Sequence, residues 1–221
     1  MRFLSIDSKF GKVMVALTYG TFLNLLWVVC SLPIFTIGAS TTALYYAALK
    51  MSRDEESYPA RMFFHAFKEN FRQATVLWLI MLSIGCLLAV DGYILYHLRL
   101  SSAGAFAIFW TLLLAVVIAA AVVYIIILTF VFPLTASVTN TTFNMLKNSL
   151  FIGVRYLFCT ITVFGIHFAM FFLVVRVFTP LIIFGEGLCA VISARFLRRV
   201  IELCSYDPNA PQQEDENEDE E

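Results

Sequence analysis

Charged side chains are scarce in this sequence. Only 14% of its 221 residues are Asp, Glu, Lys or Arg, whereas 60% are hydrophobic, and the mean hydropathy is +0.82. Soluble domains carry a charge on about a quarter of their residues. A soluble domain of this length could not bury so much apolar surface, so the composition indicates a protein of the lipid bilayer.

The sequence also lacks the common catalytic and nucleotide-binding motifs. It has no G-x-x-x-x-G-K phosphate loop, no G-x-G-x-x-G fingerprint, no H-E-x-x-H metalloprotease motif and no G-x-S-x-G nucleophile elbow. Its three histidines, His65, His97 and His167, are far apart in the chain. No nucleophile–base pair is evident. We therefore expect no metal site, no cofactor and no enzymatic activity.

Cysteine is sparse, and its spacing suggests no pairing. No two of the five cysteines form a C-x-x-C motif, and four of them lie within apolar runs. Cysteines in this setting are typically small buried hydrophobic residues rather than metal ligands or disulfide partners. The five are Cys30, Cys86, Cys159, Cys189 and Cys204.

Acidic residues are concentrated at the C-terminal end. Residues 207–221 hold eight of the sixteen acids, so the fifteen Lys and Arg outnumber the remaining acids by seven. We predict that 205–221 is a disordered acidic tail. The basic remainder suits anionic lipid head groups. Nucleic acid is not an expected partner, because the basic patch at 61–72 is too short.

Long apolar runs predict an all-α fold, a polytopic transmembrane helical bundle formed by residues 1–204. About 20 helical residues are needed to cross the ~30 Å hydrocarbon core. The moderately apolar run 34–51 follows Pro33 and is ambiguous between a short sixth span, a re-entrant helix and an interfacial helix. Five full spans are predicted, at 13–32, 74–98, 105–132, 156–175 and 177–194.

The distribution of Lys and Arg predicts the orientation, because cytoplasmic loops hold the excess of these residues. If 13–51 forms a helical hairpin that returns to its starting side, thirteen of the fifteen cations lie inside. If 13–32 crosses alone with the N-terminus outside, ten cations lie inside and five outside. With the N-terminus inside, five lie inside and ten outside, which violates the rule. The hairpin is favoured, with both termini in the cytoplasm.

Residues 59–73 form an amphipathic pattern ahead of the span at 74–98. Phenylalanines recur at helical spacing, cationic residues take the opposite side, and Pro59 suits a first helical position. We predict a basic interfacial helix that docks membrane lipids or a partner protein. Its docking residues are Phe63, Phe67, Phe71, Arg61, Lys68 and Arg72. A similar but weaker stripe lies at 142–154.

Four polar residues lie within the apolar runs, and such residues are functional candidates by default. They are Asn24, Asp91, His167 and Glu186. Counted back from the predicted outer turns at 1.5 Å per residue, all four lie roughly 13–18 Å below the outer face. We predict one shared polar layer with His167 and Glu186 in contact. This layer is either a site for a proton, ion or small solute, or a clamp between helices.

Several stretches resemble the YesL family of bacterial membrane proteins. They are N-L-L-W at 24–27, S-L-P-I-F-T-I-G-A at 31–39, A-L-Y-Y at 43–46 and F-F-H-A-F-K-E-N-F-R-Q-A at 63–74. The chain reads T-I-G-A-S at 36–40 where the family typically has T-I-G-P-A, and the resemblance is strong over 20–95 and thin after 156. The family has no established activity, but its members are encoded near carbohydrate-uptake ABC transporters and sensor-regulator pairs.

The resemblance implies an accessory or regulatory protein of the bacterial cell membrane, connected with carbohydrate uptake. Its partners would be ABC transporter subunits or sensor proteins, and 59–73 would be the docking surface. The alternative function is a small-solute or ion carrier or channel that uses the polar layer. The resemblance is a contextual association and identifies no solute.

Overall fold

The computed structural model describes residues 9–53, 58–177, 179, 181 and 184–205, and these residues form an all-α bundle. The predicted acidic tail lies outside the described residues, apart from its first residue, Ser205. Seven α-helices and one short 3-10 helix lie within the described ranges. The α-helices are α1 (Lys9–Cys30), α2 (Ile37–Ser52), α3 (Pro59–Ser101), α4 (Ala105–Ser137), α5 (Thr142–Arg155), α6 (Leu157–Arg176) and α7 (Gly185–Ser205).

Helices α1 and α2 form the predicted hairpin. Pro33 precedes the 3-10 helix Ile34–Thr36, and the Thr36 hydroxyl donates to the carbonyl oxygen of Cys30 at 2.7 Å, which closes the turn. Further along, the Trp27 indole donates to the Thr41 hydroxyl at 3.1 Å. Small residues make up most of α2, and ten of its sixteen residues are buried. The ambiguous run 34–51 is therefore a helix packed inside the bundle.

Helix α3 contains both the predicted interfacial helix at 59–73 and the predicted span at 74–98 that it leads into. It is one continuous helix of 43 residues, about 64 Å long at 1.5 Å per residue. No proline occurs within α3 after Pro59, so nothing in the sequence forces a break at 73. Its first half packs on α2, where a Cβ on Gly38 would lie 2.5 Å from the Ala74 carbonyl oxygen.

Helix α4 returns antiparallel to α3. Gly104, with φ of +62°, provides the turn, and glycine adopts this left-handed conformation at no steric cost. The two helices stay in register from Arg99, which donates to the Thr111 hydroxyl at 3.1 Å, down to Trp78, whose ring centroid is 6.2 Å from that of Phe132.

Helix α4 continues beyond residue 132, the predicted end of its span, through Pro133 to Ser137. Proline removes one backbone hydrogen bond of a helix without always ending it. Here the Ser137 hydroxyl donates to the Pro133 carbonyl oxygen at 3.0 Å, and Phe132, Pro133 and Leu134 are buried. Packing therefore holds the helix together across the proline.

The C-terminal third contains α5, α6 and α7. Helix α5 covers the weaker stripe at 142–154, but it buries Met145, Ser149, Ile152 and Gly153, whereas the stripe residues Phe143 and Val154 are exposed. Helix α6 matches the span predicted at 156–175 to within one residue at each end. The span predicted at 177–194 is displaced, because a turn at Phe184 precedes α7, which begins at Gly185 and extends to Ser205.

Three of the described helices are long and apolar enough to cross a membrane, namely α3, α4 and α6. The segment Met14–Cys30 of α1 is apolar but shorter, and α7 carries three arginines and two glutamates. A helical membrane protein is therefore supported, and five full spans are not confirmed. The main hydrophobic core joins α2 with the first half of α3, the last turns of α4, and α7.

Candidate functional site

A polar cluster lies where α2, α6 and the first turn of α7 meet. The His167 Nε2 atom is 3.4 Å from Glu186 Oε1 and 3.1 Å from the Tyr45 hydroxyl. About a quarter of the His167 side chain is exposed (26%), and Glu186 is similar at 30%. The predicted contact between His167 and Glu186 therefore exists in the structure.

The two ring nitrogens of His167 have different partners. Nδ1 lies 2.8 Å from the carbonyl oxygen of Val163, one turn earlier in α6, and only a protonated Nδ1 can donate to a carbonyl. With the proton on Nδ1, the Nε2 atom of a neutral ring accepts from the Tyr45 hydroxyl. In the imidazolium form both nitrogens donate, and the positive ring lies beside the Glu186 carboxylate, with Nε2 3.4 Å from Oε1.

Asn24 connects α1 to the same end of α7. Its side chain is completely buried, and its Oδ1 accepts a hydrogen bond of 2.9 Å from the backbone N–H of Gly187. That N–H belongs to the first turn of α7, where no carbonyl of the helix can pair with it. The carboxylate of Glu186 also lies in this first turn, where the helix dipole stabilises a negative charge.

Gly187 permits this close contact between α1 and α7. A Cβ atom at Gly187 would overlap the carbonyl oxygen of Gly20 and lie 2.8 Å from the Asn24 Cβ. Small residues allow membrane helices to approach closely enough for such interhelical hydrogen bonds. The cluster therefore requires both the amide of Asn24 and the absence of a side chain at Gly187.

Asp91 does not belong to the cluster. The Trp78 indole donates to the Ile34 carbonyl oxygen at 2.8 Å, so the α1–α2 turn lies level with Trp78. Asp91 is thirteen residues further along α3, about 20 Å beyond that level, and it is exposed. The predicted four-residue layer is thus a cluster of Asn24, His167 and Glu186, joined by Tyr45.

Sequence reasoning missed Tyr45 because the run 34–51 was ambiguous. The signal was a tyrosine within the moderately apolar stretch A-L-Y-Y, which faces the bundle only if α2 is a packed helix. Tyr45 is 4% exposed. A buried tyrosine hydroxyl usually has a hydrogen-bond partner, and here the partner is His167.

The cluster ties four helices together and contains groups that can carry a proton. Among the described residues, no group of three His, Cys, Asp or Glu side chains could hold a metal ion. Polar side chains that bond across helices hold membrane bundles together, usually with about 0.6 kcal/mol per pair.

The structure divides the predicted docking residues between the core and the surface. Phe63 is fully buried and stacks on Phe67, which is partly buried, so Phe63 cannot take part in docking. Phe71 is exposed, and so is Phe64, which was not among the predicted docking residues. The three predicted cations are also exposed. We call the exposed set the cationic stripe, and it consists of Arg61, Phe64, Lys68, Phe71 and Arg72.

A second ionic site joins the C-terminal ends of α2 and α7. Glu202 accepts from Arg198 at 3.2 Å and from Arg53 at 3.5 Å. Arg198 also donates to the carbonyl oxygen of Ser52 in the last turn of α2, where a helix dipole favours a cation. No local pattern in the sequence predicts this contact, because 146 residues separate its partners.

Comparison with known proteins identifies a family match over part of the chain. Residues 21–92 match the model of a family described as "Protein of unknown function, DUF624". The match covers the α1–α2 hairpin from Thr21 and most of α3, and it ends before α4. Asn24, Tyr45 and the cationic stripe lie inside the matched region, whereas His167 and Glu186 lie outside it. No curated protein matches the chain, and no solved structure matches it.

Proposed function

We propose that this chain is a multi-pass accessory or regulatory protein of the bacterial cell membrane and that it docks a partner through the cationic stripe of α3. The observation that carries the proposal is the composition of that stripe. Two exposed phenylalanines alternate with three exposed cations along about three turns of one helix face. Exposed aromatic and Arg side chains on one face are characteristic of binding surfaces.

The polar cluster supports an accessory role more than a transport role. Its atoms are engaged by one another: Asn24 holds Gly187, Tyr45 contacts His167, and His167 contacts Glu186. A transport site needs groups that can exchange these partners for a solute. Asp91, the other acid in an apolar run, is too far away to share such a site.

The partner class comes from the resemblance to the YesL family. Members of that family are encoded beside carbohydrate-uptake ABC transporters and sensor-regulator pairs, so we propose transporter subunits or a sensor protein as partners. The excess of cations in the segments around 50–73 and 195–199 supports a cytoplasmic location for the stripe and for both termini.

Co-purification from nanodiscs tests this proposal. Phe71→Asp and Phe64→Asp place a charge on the stripe at side chains that are 37% and 42% exposed, and we expect each to abolish recovery of transporter subunits or sensor proteins. Asp91→Asn is the matched control, since it changes an exposed residue of the same helix outside the stripe. Equal recovery of partners with all three variants would refute docking through the stripe.

A carrier or channel remains the second candidate, and the partial exposure of the His167–Glu186 pair favours it. This function predicts that Glu186→Gln abolishes solute uptake in proteoliposomes while Phe71→Asp leaves uptake unchanged. The accessory function predicts the opposite pattern in cells, with uptake lost in Phe71→Asp and retained in Glu186→Gln. The same two variants therefore distinguish the candidates.

A further inference from the structure

The three cations of the cationic stripe share one arc of α3. At 100° per residue, Arg61, Lys68 and Arg72 lie within about 40° of one another, on the side opposite the buried residues Phe63 and Leu77. Within the described part of the chain, no carboxylate is within ion-pair distance of any of the three. The neighbouring acid, Glu69, lies off this arc and contacts His65 at 3.4 Å.

This arrangement differs from that of the cations at the end of the bundle. Arg53 and Arg198 share the carboxylate of Glu202, so their charge is already balanced by the protein. The stripe is a linear array of positive charge about 16 Å long, and the described residues provide no counter-charge of this kind. Its counter-charge must come from solvent ions or from an anionic segment.

The ionic contacts at Glu202 also show that the end of α7, from which the C-terminal tail extends, lies close to the end of α2. Glu202 is 3.5 Å from Arg53, and Arg53 is six residues before Pro59, the first residue of α3. Helix α7 ends at Ser205. The sixteen residues that follow can extend up to about 50 Å at ~3.3 Å per residue, so the whole stripe is within reach.

We propose that the acidic tail, residues 207–221, docks on the cationic stripe of its own chain. Seven of its acids fall within 214–221, a dense anionic segment that complements three cations at intervals of seven and four residues. Covalent attachment gives the tail an effective concentration in the millimolar range, which favours it over free anions. Residues 207–221 contain no aromatic or large aliphatic side chain, so Phe64 and Phe71 stay available to a further partner.

The contact is electrostatic and weak for each pair, since exposed ion pairs contribute about 0–1 kcal/mol and are screened by salt. It does not depend on the proposed accessory function. In combination with that function, it means that the tail and an acidic partner compete for the same cations.

Carbodiimide cross-linking of the full-length protein in phosphatidylcholine nanodiscs tests the contact. This reagent joins a lysine amine to a carboxylate with which it is in direct contact, and peptide mass spectrometry locates the link. We expect Lys68 to join to acids of 214–221 in low salt, with a loss of severalfold in high salt. Lys147, exposed on α5, is the internal reference lysine and should give few such links.

The Arg61→Gln, Arg72→Gln double variant keeps Lys68 and removes its two cationic neighbours. We expect this variant to lose most Lys68 links while its thermal unfolding is unchanged, because both positions are exposed. The proposal is overturned if Lys68 gives no links to the tail, if Lys147 gives as many, or if the double variant cross-links as well as the original chain.

Discussion

At the scale of single residues, Gly187 limits how closely α1 and α7 can pack. A methyl group at this position would overlap backbone atoms of Gly20 and the Cβ of Asn24, which cannot move without shifting a helix. We predict that Gly187→Ala destabilises the protein by about 1–3 kcal/mol, the usual cost of overpacking a core. Thermal unfolding in detergent measures the loss.

Gly165 is the matched control for that substitution. It is also a helical glycine, but a Cβ there would meet no atom within 4 Å. We expect Gly165→Ala to be neutral or to stabilise by up to ~1 kcal/mol, because alanine has the higher helix propensity. Equal destabilisation by the two variants would mean that α1 and α7 do not meet at Gly187.

The contact between His167 and Glu186 has an energy that a double-mutant cycle measures. Both side chains are about 70% buried, so the pair is neither freely solvated nor fully desolvated. We expect a coupling energy of about 0.5–1.5 kcal/mol from His167→Gln, Glu186→Gln and the double variant, within the range known for polar pairs between membrane helices. A coupling of zero would show that the two groups are not in contact in the folded protein.

The polar residues show what a sequence can predict at this scale. Counting residues from a turn located the His167–Glu186 pair, because both residues flank the same short connection between antiparallel helices. The same count failed for Asp91, because it assumed that every outer turn lies at one height. The structure places the Ile34 turn beside Trp78, near the middle of α3.

At the scale of elements, the α3–α4 hairpin has a register that cross-linking can test. A Cβ on Gly92 would lie 3.9 Å from a methyl carbon of Val117, which suits a disulfide between cysteines at these positions. We predict that Gly92→Cys with Val117→Cys oxidises readily in a background that lacks the five native cysteines. Gel mobility after proteolysis between the two positions reports the bond.

The control pair for this experiment is Gly92→Cys with Ile118→Cys. Ile118 follows Val117 directly, but its side chain is 57% exposed and points away from α3. We expect little oxidation of this pair. Efficient bonding at 118 and none at 117 would shift the register by one residue and contradict the structure.

The amphipathic pattern at 59–73 was identified correctly, but its meaning depends on neighbours that the sequence does not reveal. Phe63 and Phe67 belong to the face that packs on the bundle, and Phe64 and Phe71 to the face that stays exposed. The helical spacing of the phenylalanines alone cannot decide which of two adjacent aromatic faces packs against the rest of the bundle. Sequence also does not show whether α3 is one helix or two, because a change from polar to apolar residues need not interrupt a helix.

At the scale of the whole molecule, the bundle has two levels along α3. The first half of α3 packs with α1 and α2, and the second half contacts α4 beyond the Ile34 turn. Composition predicted a membrane protein, because exposed apolar side chains occur on both levels. It could not predict the two levels, since they depend on where helices cross and not on how apolar each one is.

The last prediction concerns the sides of the membrane. Arg53 and Glu202 are in contact, so the α2–α3 connection and the end of α7 lie at the same end of the bundle. The α3–α4 turn lies about 64 Å from the start of α3. We predict that a membrane-impermeant maleimide labels Tyr58→Cys and Leu203→Cys from the cytoplasmic face and Leu100→Cys from the opposite face, because each of these side chains is at least 60% exposed.

Comparing intact cells with inverted vesicles, in the cysteine-free background, gives each position its own control. A site that is labelled only in inverted vesicles is cytoplasmic, and detergent should make all three sites react. If Tyr58→Cys and Leu203→Cys are labelled from opposite faces, the contact between Arg53 and Glu202 cannot exist. The same result would contradict docking of the tail on the cationic stripe, since the bilayer would then separate the two.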